Sequence, residues 1–252
     1  MLRPSRGRSN SNVDEENPYW ISFSDIMSGL LVVFILASLV LILQLTTEVD
    51  KVEVKSQKIE NSVQELKKAN SIKNQILKEI QNELKESKIS VEIVDNESVL
   101  RIPDDELTFG PDRYDIPTSG DAFVRAALIG QALYQSIIKG EREKYLDTVF
   151  IEGHTDSQSS RVFKEMGNWG LSTYRAISVW KFWNEQLGSN NNLESLKNHA
   201  GKPLFSVSGY ASQRRLIENE ITKSDLQKNR RIDIRFTVKN PSISDYENAK
   251  EI

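Results

Sequence analysis

TVFIEGHTD, residues 148–156, is the stretch on which the fold of this chain turns. Thr148–Glu152 is a short run of β-branched and apolar residues, the length of a buried strand, and Gly153-His154-Thr155-Asp156 ends it. Downstream, Leu171–Leu187 predicts an amphipathic helix with Ile177, Trp180, Trp183 and Leu187 turned inward. Leu204–Ser208 is a second strand. Thr222–Asn229 predicts a short helix with Thr222 as N-cap and Asp225 at its third position. Arg231–Val238 alternates cleanly, with Ile232, Ile234, Phe236 and Val238 against Arg231, Asp233, Arg235 and Thr237. Upstream, Ile89, Val91 and Ile93 alternate and SVLRIP (98–103) follows, which suggests a hairpin around Asp95-Asn96-Glu97. Ser119–Lys139 is a helix with Ser119 as N-cap, Gly140 after its end, and an apolar face of Phe123, Ala126, Ala127, Leu133, Tyr134 and Ile137. Strands and helices in this order predict a two-layer α/β domain, its helices covering one face of a mixed sheet.

The amino-terminal third has another character. IMSGLLVVFILASLVLIL (26–43) carries no charge, and Trp20, Ile21 and Phe23 extend it. A spanning helix needs about 20 mostly apolar residues, so 19–45 reads as one transmembrane helix. Asp25 sits just inside it. A carboxylate there costs about 2.5–3.5 kcal/mol on insertion scales and usually faces protein, an ion or water. Ser22, Asp25 and Gly29 share one helix face, with Ser28 beside them. Asp25 is therefore the candidate ion-carrying residue; the alternative is an interfacial acid that caps the helix near Ser24. Arg3, Arg6 and Arg8 precede the span and place its amino end in the cytoplasm, although Lys51, Lys55 and Lys58 weaken the contrast. The apolar run is too long for a cleaved signal peptide, and no small-residue cleavage site follows.

Residues 1–18 are polar and read as a disordered cytoplasmic tail, and 241–252 as a flexible one. Residues 46–88 contain neither Pro nor Gly and predict a helical linker. Val49, Val52, Ile59, Val63 and Leu66 recur at helical spacing, and after a register shift near Asn70 so do Ile72, Ile76, Ile80 and Leu84. So narrow a seam suits a parallel homodimeric coiled coil, the alternative being a lone solvated helix.

Composition narrows the function. A net charge of −3 gives no electrostatic case for direct nucleic-acid binding. With no cysteine, disulfides and thiolate metal sites are excluded. His154 and His199 stand apart from one another and make no metal site. No Walker A segment, HExxH or nucleophile elbow occurs, so neither a catalytic residue nor a cofactor is expected.

Ile151-Glu152-Gly153-His154-Thr155-Asp156, then Asn168 with Leu171-Ser172-Thr173-Tyr174-Arg175-Ala176, then Val207-Ser208-Gly209-Tyr210 and Asn229-Arg230-Arg231-Ile232-Asp233-Ile234 together resemble the OmpA-like peptidoglycan-binding domain, over residues 89–240. Leu107-Thr108-Phe109 with Gly110 looks like that domain's early loop. The segment between Asp156 and Leu171 and the Gly188–Pro203 loop are longer than the family pattern, and Phe182-Trp183 replace a usual leucine. The resemblance implies the diaminopimelate-type stem peptide of peptidoglycan as ligand. Asp156 would accept from its ammonium and Arg175 would grip its carboxylate as a bidentate fork. Asn168 matches a ligand-loop position and Arg230 a nearby supporting one, and Thr155 could add a hydrogen bond to the anionic ligand. Left to spacing alone, Asp156 and Arg175 could equally be a structural ion pair.

The whole chain is thus expected to be α+β: one transmembrane helix, a helical linker, then the OmpA-like domain. Trp20-Ile21-Ser22-Phe23-Ser24-Asp25-Ile26-Met27-Ser28-Gly29 is similar to the acid-bearing segment of stator subunits, the flagellar MotB family and the ZorB family of Zorya anti-phage systems. The short soluble part and the SDIMSGL wording lean toward the latter. That resemblance implies a homodimer in the bacterial inner membrane with a periplasmic domain, inside a pentameric multi-span partner of the MotA/TolQ/ZorA kind. A static cell-wall tether, in which Asp25 is incidental, is the competing expectation.

Overall fold

A computed structural model describes residues 18–107, 109–110, 112–188 and 192–239. The tails expected at 1–18 and 241–252, apart from Pro18, and Thr108 of the early-loop motif lie outside the described residues. The chain divides into two compact units, with the boundary between Lys58 and Ile59.

Helix α1 spans Pro18–Glu86, 69 residues, taking in both the apolar run and the linker. In the first unit, apolar side chains are exposed all round, from Trp20 through Leu45. A helix apolar on every side belongs in a membrane or a protein interior, and this one is long and apolar enough to cross a membrane. Past the apolar run, Thr46 and Thr47 hydroxyls turn back to the carbonyls of Leu43 and Gln44, at 2.9 and 2.8 Å.

In the second unit α1 becomes part of a globular core. Ile76, Leu77, Ile80 and Leu84 are at most 1% exposed. They pack with Leu100, Ile102, Ile232 and Ile234 of the sheet and with Ile129, Leu133, Val179 and Trp183. This corrects the expectation of one continuous interchain seam: the carboxy-terminal half of the stripe is covered by the chain's own domain. α1 stops in a Schellman motif, Ile89 N–H bonding Leu84 O at 2.9 Å and Lys88 N–H bonding Lys85 O at 3.0 Å. Lys88 takes the left-handed position (φ 60) more often given to glycine.

The sheet comprises β1 (Glu92–Val94), β2 (Val99–Pro103), β3 (Leu146–His154), β4 (Phe205–Gly209) and β5 (Arg231–Val238), in the order β1-β2-β5-β3-β4. β3 and β4 are parallel and every other neighbour pair is antiparallel, so the sheet is mixed as expected. The β1–β2 hairpin turns through Asp95, Asn96 and Glu97, all at positive φ. α2 is the single turn Asp104–Leu107, α3 runs Asp121–Ile138, α4 Gly167–Leu187 and α5 Lys223–Asn229. The capping box on Thr222 and Asp225 is present in full. At α3 the cap is Gly120 (φ 83) rather than Ser119, and no side chain caps it. In the Gly188–Pro203 loop, Leu193–Ser195 forms a 3-10 turn and Lys197 bridges to Pro203.

α4 starts earlier than expected, and its inward face is wider: Trp183 is buried as expected, and Trp180 and Leu187 pack against the core. Ser172, Arg175, Ala176, Val179 and Trp183 face in, while Ile177, Trp180 and Leu187 are only half-buried. Trp183 donates from Nε1 to Ala126 O of α3 at 2.7 Å, and it fits because Gly130 has no side chain: a Cβ there would lie 2.7 Å from Trp183 Cγ. The amino end of α4 sits equally close to the sheet. A Cβ on Gly153 would collide with the backbone of Ser172, and one on Gly209 would fall 2.6 Å from Ser172 Oγ. Two of the motif glycines are thus what let α4 approach the ends of β3 and β4.

β5 is buried on both faces over its first half. Ile232, Ile234 and Phe236 enter the core, and Arg231 and Asp233 lie opposite. Asp233 accepts from Arg101 Nε and Arg231 Nε, both at 3.0 Å. Burial works against the Asp233 charge, but these guanidiniums outweigh it and hold its pKa below the ordinary value. His154, 2% exposed, stacks on Tyr210 beside this network, and burial drops its pKa to about 3. It is a neutral core residue.

Candidate functional site: a buried acid–guanidinium quartet

The site forms where β3 ends. Thr155 N–H donates to Ala211 O and Tyr210 N–H to Gly153 O, each at 2.9 Å, carrying the β3–β4 pairing past the strands. Asp156 follows at once, 5% exposed. Its Oδ1 accepts from Gln158 N–H at 3.1 Å, turning the chain away from the sheet.

Two arginines converge on this point. Arg230, at the carboxy-terminal cap of α5, donates from Nη1 to Asp156 Oδ2 at 2.8 Å and from Nε to Asp104 Oδ2 at 2.9 Å. Arg175, on the buried face of α4 and 3% exposed, donates from Nε to Arg113 O at 2.9 Å and lies over the Phe109 ring, 5.0 Å from its centroid. Burial pushes Arg175 below the ordinary guanidinium pKa, against the charges of Asp104 and Asp156. Burial pushes Asp104 up, opposed chiefly by Arg230. For Arg230 burial works downward, and the bonds to Asp156 and Asp104 overcome it and raise the pKa. Two acids and two guanidiniums therefore make a quartet of zero net charge.

The other expected residues fall around it. Asn168 bridges the loop after Asp156: its Nδ2 donates to Asp156 O at 3.2 Å and its Oδ1 accepts from Ser160 N–H at 2.9 Å. It shapes the loop. The Thr155 side chain is 2% exposed, and Oγ1 has no hydrogen-bond partner among the described residues. Asp156 pairs with Arg230 rather than Arg175, so the direct Asp156–Arg175 ion pair, open from spacing alone, is not the recorded arrangement.

Several contributors escaped the sequence reading. Asp104 supplies the second acid, from α2. Asp112 holds the loop by accepting from Ser160 Oγ at 2.6 Å and Arg161 N–H at 2.8 Å. Asn229 is fully buried; its Oδ1 accepts from Leu216 and Ile217 N–H, at 2.6 and 3.0 Å, and its Nδ2 donates to Glu220. Glu220 in turn accepts from Ser157 N–H at 3.0 Å. The Asp104-Asp105-Glu106 run directly after a strand was the available signal for Asp104. The Asn229 chain of bonds has no sequence signal beyond its place next to Arg230.

In the first unit, Asp25 is exposed, and no hydrogen bond or ion pair engages it among the described residues. A Cβ on Gly29 would meet nothing within 4 Å. The small, polar face around Asp25 is open.

Residues 108–230 match the OmpA family model. A curated relative, the uncharacterized protein YtxE of Bacillus subtilis (strain 168), is 22% identical over 245 residues, covering 91% of this chain and 92% of that protein. Among solved structures, a putative MotB-like protein from Desulfovibrio vulgaris is similar over 71% of this chain and 99% of its own, at 16% identity and a TM-score of 0.51. The periplasmic domain of Helicobacter pylori MotB is similar over 64% and 88%, at 19% identity and a TM-score of 0.46. The chain therefore carries an OmpA-like α/β domain after a long apolar helix, and its similarities among solved structures include MotB periplasmic domains.

Proposed function

We propose that this chain is a peptidoglycan-anchored stator subunit of an ion-driven motor in the bacterial inner membrane. One observation carries the reading: a single chain joins an apolar helix bearing a carboxylate with no partner among the described residues to an OmpA-like domain bearing a partly buried acid–guanidinium quartet. The free end of a diaminopimelate residue presents an ammonium beside a carboxylate. Asp156 suits the first and Arg175 the second, and a charge-assisted fork supplies geometric selectivity as well as energy. Thr155 Oγ1, without a partner among the described residues, would add a hydrogen bond to the ligand, with Asn168 and Arg230 shaping its surroundings. The domain would hold the cell wall from the periplasm, with the amino terminus in the cytoplasm.

At the other end, Asp25 would carry the ion. Two copies would place two such acids inside a ring of multi-span subunits of the MotA/TolQ/ZorA kind, where five-fold and two-fold symmetries keep the acids from equivalent positions. Within this class the SDIMSGL segment and the short soluble part favour a ZorB-type subunit of an anti-phage system over a flagellar MotB-type subunit. Phage challenge and swimming assays of a deletion strain separate the two.

The peptidoglycan reading is tested by pull-down of the full chain, in detergent, on purified sacculi. Wild type is retained, and Asp156→Ala and Arg175→Ala each lose about ten- to a hundredfold in affinity, the effect of removing a charged hydrogen-bond partner worth about 1.5–3 kcal/mol. Undiminished retention of both folded variants reduces the pair to structural residues.

A further inference from the structure

The carboxylate that a ligand ammonium must reach is already in use. Asp156 Oδ2 accepts from Arg230 Nη1 at 2.8 Å, and Asp156 is only 5% exposed. Oδ2 keeps a free lone pair, but an ammonium brought to so enclosed a carboxylate would be repelled by the Arg230 guanidinium and would compete with it for the one negative charge. Arg230, however, is held from two sides: its Nε also lies 2.9 Å from Asp104 Oδ2, a carboxylate whose own side chain is 11% exposed. Of the four charged groups, Arg230 is the least enclosed, with 29% of its side chain exposed, so it is the one with room to move.

We propose that Arg230 is an internal stand-in for the ligand ammonium, and that Asp104 is the fallback partner that makes the exchange possible. This rests on the reading that the quartet takes the zwitterionic end of a peptidoglycan stem. Before binding, Asp156 and Asp104 share Arg230. On binding, the ammonium takes Asp156, Arg230 withdraws onto Asp104 alone, and the ligand carboxylate goes to Arg175. A zwitterion adds no net charge to a neutral quartet: Asp156 and Arg230 each keep an opposite partner, and Arg175, which bonds a backbone carbonyl and no carboxylate among the described residues, gains one. That condition matters because an ion pair broken at one end leaves a buried charge uncompensated. Asp104 touches no ligand atom in this scheme; it is a positioning residue that acts through Arg230.

The scheme predicts a reversal that a merely structural Asp104 would not produce. In Asp104→Asn, Arg230 has only Asp156 left and competes harder with the ligand. In Asp104→Asn/Arg230→Gln the competitor is gone and Asp156 is free. The experiment is calorimetric titration of the full chain, in detergent, with a diaminopimelate-containing muropeptide. The expected results are about tenfold weaker binding for Asp104→Asn, near the effect of losing one charged hydrogen bond, and wild-type or tighter binding for the double variant. Asp104→Glu, which keeps the charge, should bind within about threefold of wild type, well under the effect of losing a charged hydrogen bond. Asp156→Ala is the reference. Asp104→Asn binding like wild type while Asp156→Ala loses binding overturns the fallback role and leaves the peptidoglycan reading intact. A double variant no better than Asp104→Asn overturns it as well, because Arg230 is then a ligand contact rather than a competitor. Wild-type binding by Asp156→Ala overturns both.

Discussion

Glu79 and Arg142 form a two-pronged ion pair, Nη1 to Oε2 and Nη2 to Oε1 both at 2.8 Å, fastening α1 to the turn Lys139–Tyr145. Lys139 Nζ adds a third bond to Glu79 at 3.1 Å. The Arg142 bond is the main cause that lowers the Glu79 pKa from 4.5 to about 2. A carboxylate depressed in the folded state contributes stability above its unfolded pKa, and that contribution fades as pH falls through the folded value. Because 37% of the Glu79 side chain is exposed, screening reduces the effect to about 1 kcal/mol. Glu79→Gln should therefore cost about 1 kcal/mol at neutral pH, and the gap to wild type should close between pH 4.5 and about 2. Denaturant titrations of the full chain across that range provide the check, and a gap independent of pH contradicts it.

The same docking limits where two copies can meet. Val52 and Ile59 remain 64% and 48% exposed, whereas Ile76 and Ile80 are fully buried in their own domain. If the chain dimerises in parallel through the exposed part of the stripe, single cysteines at Val52 and Ile59 should cross-link between copies. Cysteines at Lys55, Glu65 and Ile76 should not. The chain has no native cysteine to confuse the result. Uniform cross-linking along α1 leaves a flexible tether instead of a specific seam.

These two results mark how far the sequence could be read. β5 was legible to its end residues because Arg231–Val238 alternates without a break, and α5 because a capping box is a purely local signal. The stripe on α1 was equally visible, but a period says only that a helix face is apolar, not whether a partner copy or the chain's own sheet covers it. Arg175 and Asp156 stood out as candidates through the motif around them. Asp104 was not, because its partner Arg230 lies 126 residues away and only the folded chain brings them together. On α4, apolar periodicity found Trp183 but not the buried Ser172 and Arg175, because polar residues leave no mark in an apolar stripe.

Gly153 offers a test of how the site is built. Its missing side chain is what lets the Ser172 carbonyl pass directly over the end of β3. Gly153→Ala forces backbone against backbone, which no rotamer change relieves, and should destabilise the domain by about 1–3 kcal/mol or more. Gly140→Ala is a useful contrast. Nothing lies within 4 Å of its Cβ position, and its cost comes only from positive φ (63), about 1–2 kcal/mol. Thermal melts of both variants should show the larger loss at Gly153, accompanied by weaker sacculus binding because Asp156 is three residues on. Equal melting of the two variants means that α4 can retreat from the sheet at little cost.

Asp25 tests the other half of the chain. A carboxyl group on a membrane-length helix is worth its insertion cost of about 2.5–3.5 kcal/mol only if something uses it. Asparagine keeps the size and hydrogen-bonding capacity of that side chain but neither exchanges a proton nor holds a cation as a counter-charge. Asp25→Asn should therefore insert at least as well as wild type, reach the same cellular level, retain sacculus binding and give the same cysteine cross-links, while the cellular activity of the complex is lost. Asp25→Glu, with the charge moved outward by one methylene, should retain partial activity. Immunoblots, cross-linking and the activity assay on the same cells separate assembly from transport. Full activity of Asp25→Asn at wild-type levels reduces Asp25 to an interfacial cap and makes the chain a static tether.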